Sequence, residues 1–162
     1  MPVSQLDIRI GRQILTWGTG DLIFLNDPFP KDWNYFLGRD IEYVKAPSDS
    51  AKLSWYTELA NLDVVYTPRF DADRYIDGRR LSFWNDIAGD LVGEDDVISV
   101  DKPDEWFSDD EIALRLYRTF RGVEMALYLF DGFYKSPAGY DPLTNNFLFP
   151  RLRTFGASVR TA

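Results

Sequence analysis

The sequence predicts an all-β fold, an antiparallel up-and-down meander. Three observations point to it. Apolar residues recur at every second position in about six separate stretches, the side-chain period of a strand. Tight corners and long connections alternate strictly along the chain. No apolar run approaches the roughly 18 to 20 residues that a membrane helix needs.

The first strand is expected near residues 6–17. Leu6, Ile8 and Ile10 share one face, and Asp7 and Arg9 the other. Gly11-Arg12-Gln13 disturbs the phase, because strict alternation puts Arg12 on the face of Ile8 and Ile10. A bulge at Gly11 that re-aims Arg12, or a place for Arg12 near the end of the apolar belt, is therefore expected. Trp17-Gly18-Thr19-Gly20 ends the strand. Leu22 to Asp49 is a long connection, broken by the turn-rich Asn26-Asp27-Pro28-Phe29-Pro30-Lys31-Asp32. Trp33, Tyr35, Phe36 and Leu37 suit a short helical turn. A connection this apolar is expected to fold over or into something.

Strands near 51–58 and 62–68 follow. Ala51, Leu53, Trp55 and Thr57 oppose Lys52, Ser54, Tyr56 and Glu58 across the first, and a corner at Leu59-Ala60-Asn61 leads to the second. There Leu62, Val64 and Tyr66 alternate with Asp63, Val65 and Thr67, and Pro68 ends the run. The next connection carries the chain's acidity. Between Arg69 and Asp110 thirteen Asp and Glu face five Lys and Arg, a difference equal to the whole chain's net charge of −8.

Strands near 111–118 and 123–133 make the clearest pair. Ile112, Leu114 and Leu116 share one face, with Glu111, Ala113, Arg115 and Tyr117 opposite. Val123, Met125, Leu127 and Leu129 do the same against Glu124, Ala126, Tyr128 and Phe130. The corner Thr119-Phe120-Arg121-Gly122 is short enough to force a hairpin. A third long connection, Lys135 to Pro150, carries Pro137, Gly139, Pro142 and Asn145-Asn146 as breakers. The last strand is expected near 152–162, with Phe155, Ala157, Val159 and Thr161 against Thr154, Gly156, Ser158 and Arg160.

The strict alternation of long and short connections is the pattern of a transmembrane β-barrel, with long loops on one rim and tight turns on the other. Strands of about 7 to 12 residues bracket the 9–11 that cross a bilayer at a tilt. One face is aliphatic and the other mixes charge with aromatics, which suits lipid outside and a wet interior. Arg12 at mid-bilayer would cost about 2–4 kcal/mol there, the reason for expecting its displacement. Six strands are fewer than the eight that a barrel needs. Met1-Pro-Val-Ser-Gln has neither a basic n-region nor an apolar h-region. Residues 1–162 are therefore expected to be a partial barrel domain, with its signal peptide missing.

Composition narrows the chemistry. The 162 residues contain no histidine and no cysteine. That excludes thiol chemistry, disulfides, histidine-based catalysis and ordinary zinc sites. The acidic balance argues against nucleic acid as a partner. Aromatics reach 16%, with nine tyrosines and five tryptophans, high for a soluble domain.

Ile8-Arg9-Ile10-Gly11-Arg12-Gln13-Ile14-Leu15-Thr16-Trp17-Gly18 resembles the Gly-Arg-Gln … Trp-Gly strand of porin-like outer-membrane barrels of Gram-negative bacteria, and more distantly of alginate-export-type porins. The Pro47-Ser48-Asp49 opening of one strand and the Asp63-Val64-Val65-Tyr66-Thr67-Pro68 close of another look like the same group. The resemblance implies a location in the bacterial outer membrane, a bilayer and lipopolysaccharide as surroundings, and passage or binding of a small solute. It implies no enzyme activity and no cofactor, and it supplies no particular solute.

The candidate pore-lining residues are Arg9, Lys52, Glu58, Asp63, Arg115, Glu124 and Arg160, with Arg12 if a bulge turns it inward. Rings of such charge select solutes by sign, while cross-strand ion pairs that merely satisfy a wet interior would use the same residues. Tyr56, Tyr117 and Tyr128 form either a track for a sugar or aromatic solute or simple lumen filling. Trp17, Trp55, Tyr66, Phe120, Phe133 and Phe155 near strand ends fit an aromatic girdle at the two interfaces, or the core of a soluble sandwich.

No catalytic, cofactor-binding or metal-binding residue is expected. Asp71, Asp73 and Asp77, like Glu94, Asp95 and Asp96, lack the glycine and terminal glutamate of a calcium loop, and a solvated acidic loop is expected. Gly18-Thr19-Gly20 has no lysine and no following helix, so it is no phosphate loop. Asp95/Asp96 and Asp109/Asp110 are sequence neighbours, which is no evidence for carboxylates facing each other across a cleft. The alternative reading is a soluble all-β carbohydrate-binding or hydrolytic module, which needs a second sheet over the aliphatic faces.

Overall fold

The computed structural model describes residues 5–17, 26–35, 44–86 and 88–161. Six long strands form one sheet: β1 (Gln5–Ile14), β2 (Pro47–Tyr56), β3 (Asn61–Thr67), β7 (Glu111–Phe120), β8 (Val123–Phe133) and β11 (Arg151–Thr161). The short strands β4 (Phe83–Asn85), β5 (Asp90–Val92), β6 (Val100–Asp101), β9 (Gly139–Asp141) and β10 (Asn146–Leu148) lie in the connections. The large sheet follows chain order, β1-β2-β3-β7-β8-β11, and every neighbouring pair in it is antiparallel. The fold is thus all-β, and the meander read from the sequence is present.

The local causes are visible at the corners. Between β7 and β8 only Arg121 and Gly122 stand outside the strands, with φ of 50° and 80°. Positive φ at both central residues is a type I′ turn, whose twist matches that of the flanking strands. Between β2 and β3 the Thr57 hydroxyl donates to the Ala60 carbonyl at 2.6 Å.

The connections hold more order than the sequence foretold. β4 and β5 form a small hairpin. β10 pairs with β9 antiparallel and with β6 in parallel. The expected helical turn is a 3-10 helix at Trp33–Tyr35; Phe36 and Leu37 lie outside the described residues.

Several boundaries moved, two of them by three residues or more. β1 ends at Ile14 rather than near Trp17, because Leu15 and Trp17 leave the sheet and are buried against it. β2 begins at Pro47 rather than Ala51. Its first turns look polar in sequence, but Ser48 and Ser50 are buried on the inner face. The sheet's faces differ sharply. On the outer face Ile8, Ile10, Leu116, Leu127 and Val159 are exposed, Ile10 to 82%. On the inner face Val65, Ala113, Ala126, Tyr128 and Phe130 are buried beneath Leu15, Trp17 and Phe29. Trp17 meets Phe29 edge-on, with ring centroids 4.9 Å apart. The connection after β1 is therefore folded onto the inner face. A second cluster of Phe70, Phe133 and Phe149 joins the other two long connections at the same rim.

Candidate functional site

Pairing sets the inner face in rows. Ser54 stands opposite Asp63, Asp63 opposite Arg115, and Arg115 opposite Tyr128. In the half nearer the tight turns these rows carry charge. Ser54 Oγ donates to Asp63 Oδ1 at 2.5 Å, and Lys52 Nζ lies 3.7 Å from the other Asp63 oxygen. Arg115 donates to Glu124 at 3.0 Å. Arg160 lies 3.4 Å from the same Glu124 oxygen. The Arg115 guanidinium also sits 4.2 Å from the ring centre of Tyr117 and 5.8 Å from that of Tyr128. Lys52, Asp63, Arg115, Glu124 and Arg160 are thus gathered on one wall in two linked groups of opposite charges. The Tyr128 hydroxyl adds a contact to Ser158 at 2.9 Å.

The other three candidates stand apart. Arg9 is on the same face, opposite Lys52, but is exposed and pairs with Asp7 at 3.1 Å. Glu58 lies beyond β2 in the corner, exposed. Arg12 requires a correction. Gly11 does take a positive φ, 120°, yet the register runs unbroken from Gln5 to Ile14, with Gly11 opposite Ser50. Without an extra residue the phase is kept, so Arg12 shares the outer face with Ile8 and Ile10. It lies toward the long-connection end of β1 and donates to Asp49 at 3.0 Å. The bulge is absent, and the rim position is the one found.

Around that rim the outer face turns polar on the other strands too. The Tyr66 hydroxyl donates to Asp110 at 3.0 Å. Asp131 accepts from Arg151 at 3.1 Å and from Arg153 at 2.6 Å. Of the expected girdle, Trp55, Phe120 and Phe155 are exposed on the outer face, and Tyr66 is half-buried there. Trp17 and Phe133 do not belong to it. Both are buried by the long connections.

The three long connections are tied to each other by buried polar groups that sequence reasoning missed. Asp73 accepts the Lys31 amide at 2.7 Å, the Trp33 indole N–H at 2.7 Å and the Ser136 hydroxyl at 2.9 Å. Asp32 pairs with Arg74 at 2.8 Å. Glu111 pairs with Lys135, whose amine also donates to the Asp71 carbonyl at 3.1 Å. The Asp71 carboxylate accepts the Asp49 amide at 3.2 Å, so Asp71 and Asp73 are structural acceptors within the fold and not part of a solvated acidic loop, whereas Glu94, Asp95 and Asp96 are exposed as expected. Burial pushes the Lys31 ammonium below its usual value, against the opposing pull of Asp27 and Asp73. No group of side chains among the described residues is arranged to hold a metal ion. Gly18-Thr19-Gly20 lies outside the described residues.

Comparison with models of known families gives no match, and searches of curated proteins and of solved structures find no significant similarity.

Proposed function

We propose that this chain forms part of a porin-like β-barrel of the bacterial outer membrane, one that passes or binds a small solute. One observation carries the reading. A continuous aliphatic outer face lies exposed beside a charged and aromatic inner face, and it ends in a band of ion pairs at the long-connection rim. In water an exposed apolar patch of this extent marks an interaction surface. Lipid is the partner that suits a belt closed by charges at headgroup level, with lipopolysaccharide beyond the rim.

The length of most strands agrees with this. β1, β2 and β7 have 10 residues each and β8 and β11 have 11, within the 9–11 that cross a bilayer. In this reading further strands join the β1 and β11 edges and close the wall. The chain then acts as a wall and a lining, not as an enzyme. A soluble carbohydrate module would have to cover Ile10, Leu127 and Val159 with a second sheet. The small sheets of the connections leave all three exposed.

The test is outer-membrane expression in a Gram-negative host behind a leader, with mild detergent extraction and gel mobility compared before and after boiling. A heat-dependent shift of outer-membrane material is expected, followed by discrete conductance steps in planar bilayers. A soluble product with no shift overturns the reading.

A further inference from the structure

Just before β7 the chain makes a tight turn that leaves two large rings in the open. Trp106 is 53% exposed and Phe107 70%, and their centroids lie 6.0 Å apart. Phe107 has a φ of 63°. The left-handed region is a genuine outlier for a bulky side chain, and it persists only where the surroundings impose it. Here they do. The Phe107 N–H donates to the Pro68 carbonyl at 2.7 Å, and the Asp109 N–H to the Glu105 carbonyl at 3.0 Å. The Asp109 carboxylate accepts the Glu105 N–H at 2.8 Å. Arg69 lies 5.0 Å from the centre of the Trp106 ring and 3.4 Å from Asp104. Two rings are thus held by a strained, well-bonded turn in a place where folding does not bury them.

The bonds of this turn put it at the outer edge of the long-connection rim. Asp110, just after it, accepts the hydroxyl of outer-face Tyr66. The Ser108 carbonyl accepts from Arg151 at 3.4 Å, the arginine that also bonds to outer-face Asp131. The rings therefore stand beside the band of ion pairs in which the aliphatic face ends. The turn bonds to Pro68, one residue past β3, and leads into Glu111, the first residue of β7. β3 and β7 are the middle pair of the sheet, with β2 and β1 on one side and β8 and β11 on the other. Strands added at either edge would not reach the turn. At this rim Trp17 and Phe133 are buried under the connections, so the exposed aromatics are this pair, which the alternation of the strands did not single out.

The chemistry of the turn decides what covers the rings. Charge flanks them closely: Arg69 stacks on Trp106, and the side chain of Asp104 is 74% exposed. A dry protein partner, or the acyl interior of a bilayer, would strip water from these groups along with the rings. The headgroup level of a bilayer does not. There an aromatic ring meets apolar chains on one side while its polar neighbours stay hydrated, which is why tryptophan gathers at that depth. We infer that Trp106 and Phe107 seat in the boundary between headgroups and acyl chains at the long-connection rim, as an anchor carried on a turn and not on a strand. The inference rests on the barrel reading for the presence of a bilayer, and adds to it a lipid contact outside the sheet that sets the height of the wall in the membrane.

The sequence contains no cysteine, so a single introduced one takes a nitroxide label at a known place. Trp106→Cys, Phe107→Cys, Leu127→Cys and Asp95→Cys are expressed in the outer membrane as above, checked for the heat shift, labelled and moved into phosphatidylcholine vesicles. Electron paramagnetic resonance compares collisions with oxygen, which concentrates in lipid, and with a nickel chelate, which stays in water. Leu127 is the reference within the aliphatic face, and exposed Asp95 the aqueous one. The oxygen-to-chelate ratio at Trp106 and Phe107 is expected to exceed that at Asp95 by about threefold or more, and to stay below that at Leu127. Heat-shifted protein whose Trp106 and Phe107 labels match the Asp95 label overturns the anchor and leaves the barrel standing. Failure of both turn variants to assemble, while the two reference variants assemble, makes the turn a framework element and also overturns the anchor. A Leu127 label as aqueous as the Asp95 label, or wild type without the heat shift, overturns the barrel and the anchor with it.

Discussion

The Asp73 carboxylate accepts the backbone amide of Lys31, 42 residues earlier in the chain, at 2.7 Å. The same carboxylate holds the indole of Trp33 and the hydroxyl of Ser136. One side chain thus bonds to both of the other long connections. Asp73→Ala leaves the buried Lys31 amide without its acceptor, at about 1–3 kcal/mol. The sheet itself keeps its ladders. The expected result is rapid proteolysis within the connections while the protein retains its heat-dependent gel shift. Unchanged protease resistance would mean that the three-way junction does not hold the layer together.

Leu127 is exposed at the middle of β8 on the aliphatic face. If lipid covers it, Leu127→Arg costs about 2–4 kcal/mol at the midplane, and heat-modifiable protein should vanish from the outer-membrane fraction. Arg118 stands on the same face near the tight turn, and Arg118→Leu should assemble normally. Equal assembly of Leu127→Arg and wild type would sink the lipid-facing assignment.

Glu124 is the shared anion between Arg115 and Arg160. Glu124→Gln leaves both guanidinium groups on the inner wall without it. Under a salt gradient in a planar bilayer, the reversal potential is expected to shift toward anion preference. A potential that stays where it was would relegate the trio to wall chemistry with no part in selection.

Lys31 gives the connections a pH dependence of known sign. Its folded-state pKa lies below the ordinary lysine value of 10.5, chiefly through burial, with Asp27 and Asp73 pulling the other way and Lys135 adding to the depression. Between the folded and unfolded values the unfolded chain holds more protons, so stability rises with pH across that window. Lys31→Arg stays charged throughout and lacks this gain. Limited proteolysis by an alkaline protease, from about pH 7 to about pH 10, should show wild type becoming more resistant relative to the variant. Parallel curves would contradict the assignment.

Period-two alternation made the sheet legible because one face is aliphatic and the other is not. Leu114 and Leu127, or Arg115 and Glu124, can be placed on their faces from sequence spacing alone. The hairpin at Thr119-Phe120-Arg121-Gly122 was equally plain, since so short a connection allows nothing else, although Thr119 and Phe120 prove to belong to β7. Arg12 was harder. A glycine before it looked like a bulge, and Gly11 does adopt the unusual φ, but continuous pairing with β2 kept the phase. Its place toward the long-connection end of β1, beside Asp49, is the other of the two expected outcomes. The connections were largely illegible. Asp73 bonds to partners 40 to 63 residues away, and no periodicity records such pairings. Trp17 was read as an interface residue because it closes the expected strand; its burial follows from the chain leaving the sheet after Ile14, which the alternation does not encode.

The six strands run alternately toward and away from the rim that carries the long connections. β1 ascends to that rim and β11 descends from it. An ascending edge and a descending edge are mutual complements. Additional strands in any even number can be zipped between them with every contact antiparallel and every long excursion kept on one side. In the proposed barrel the sheet would be a modular sector, and enlarging the wall would change its circumference without reversing its polarity.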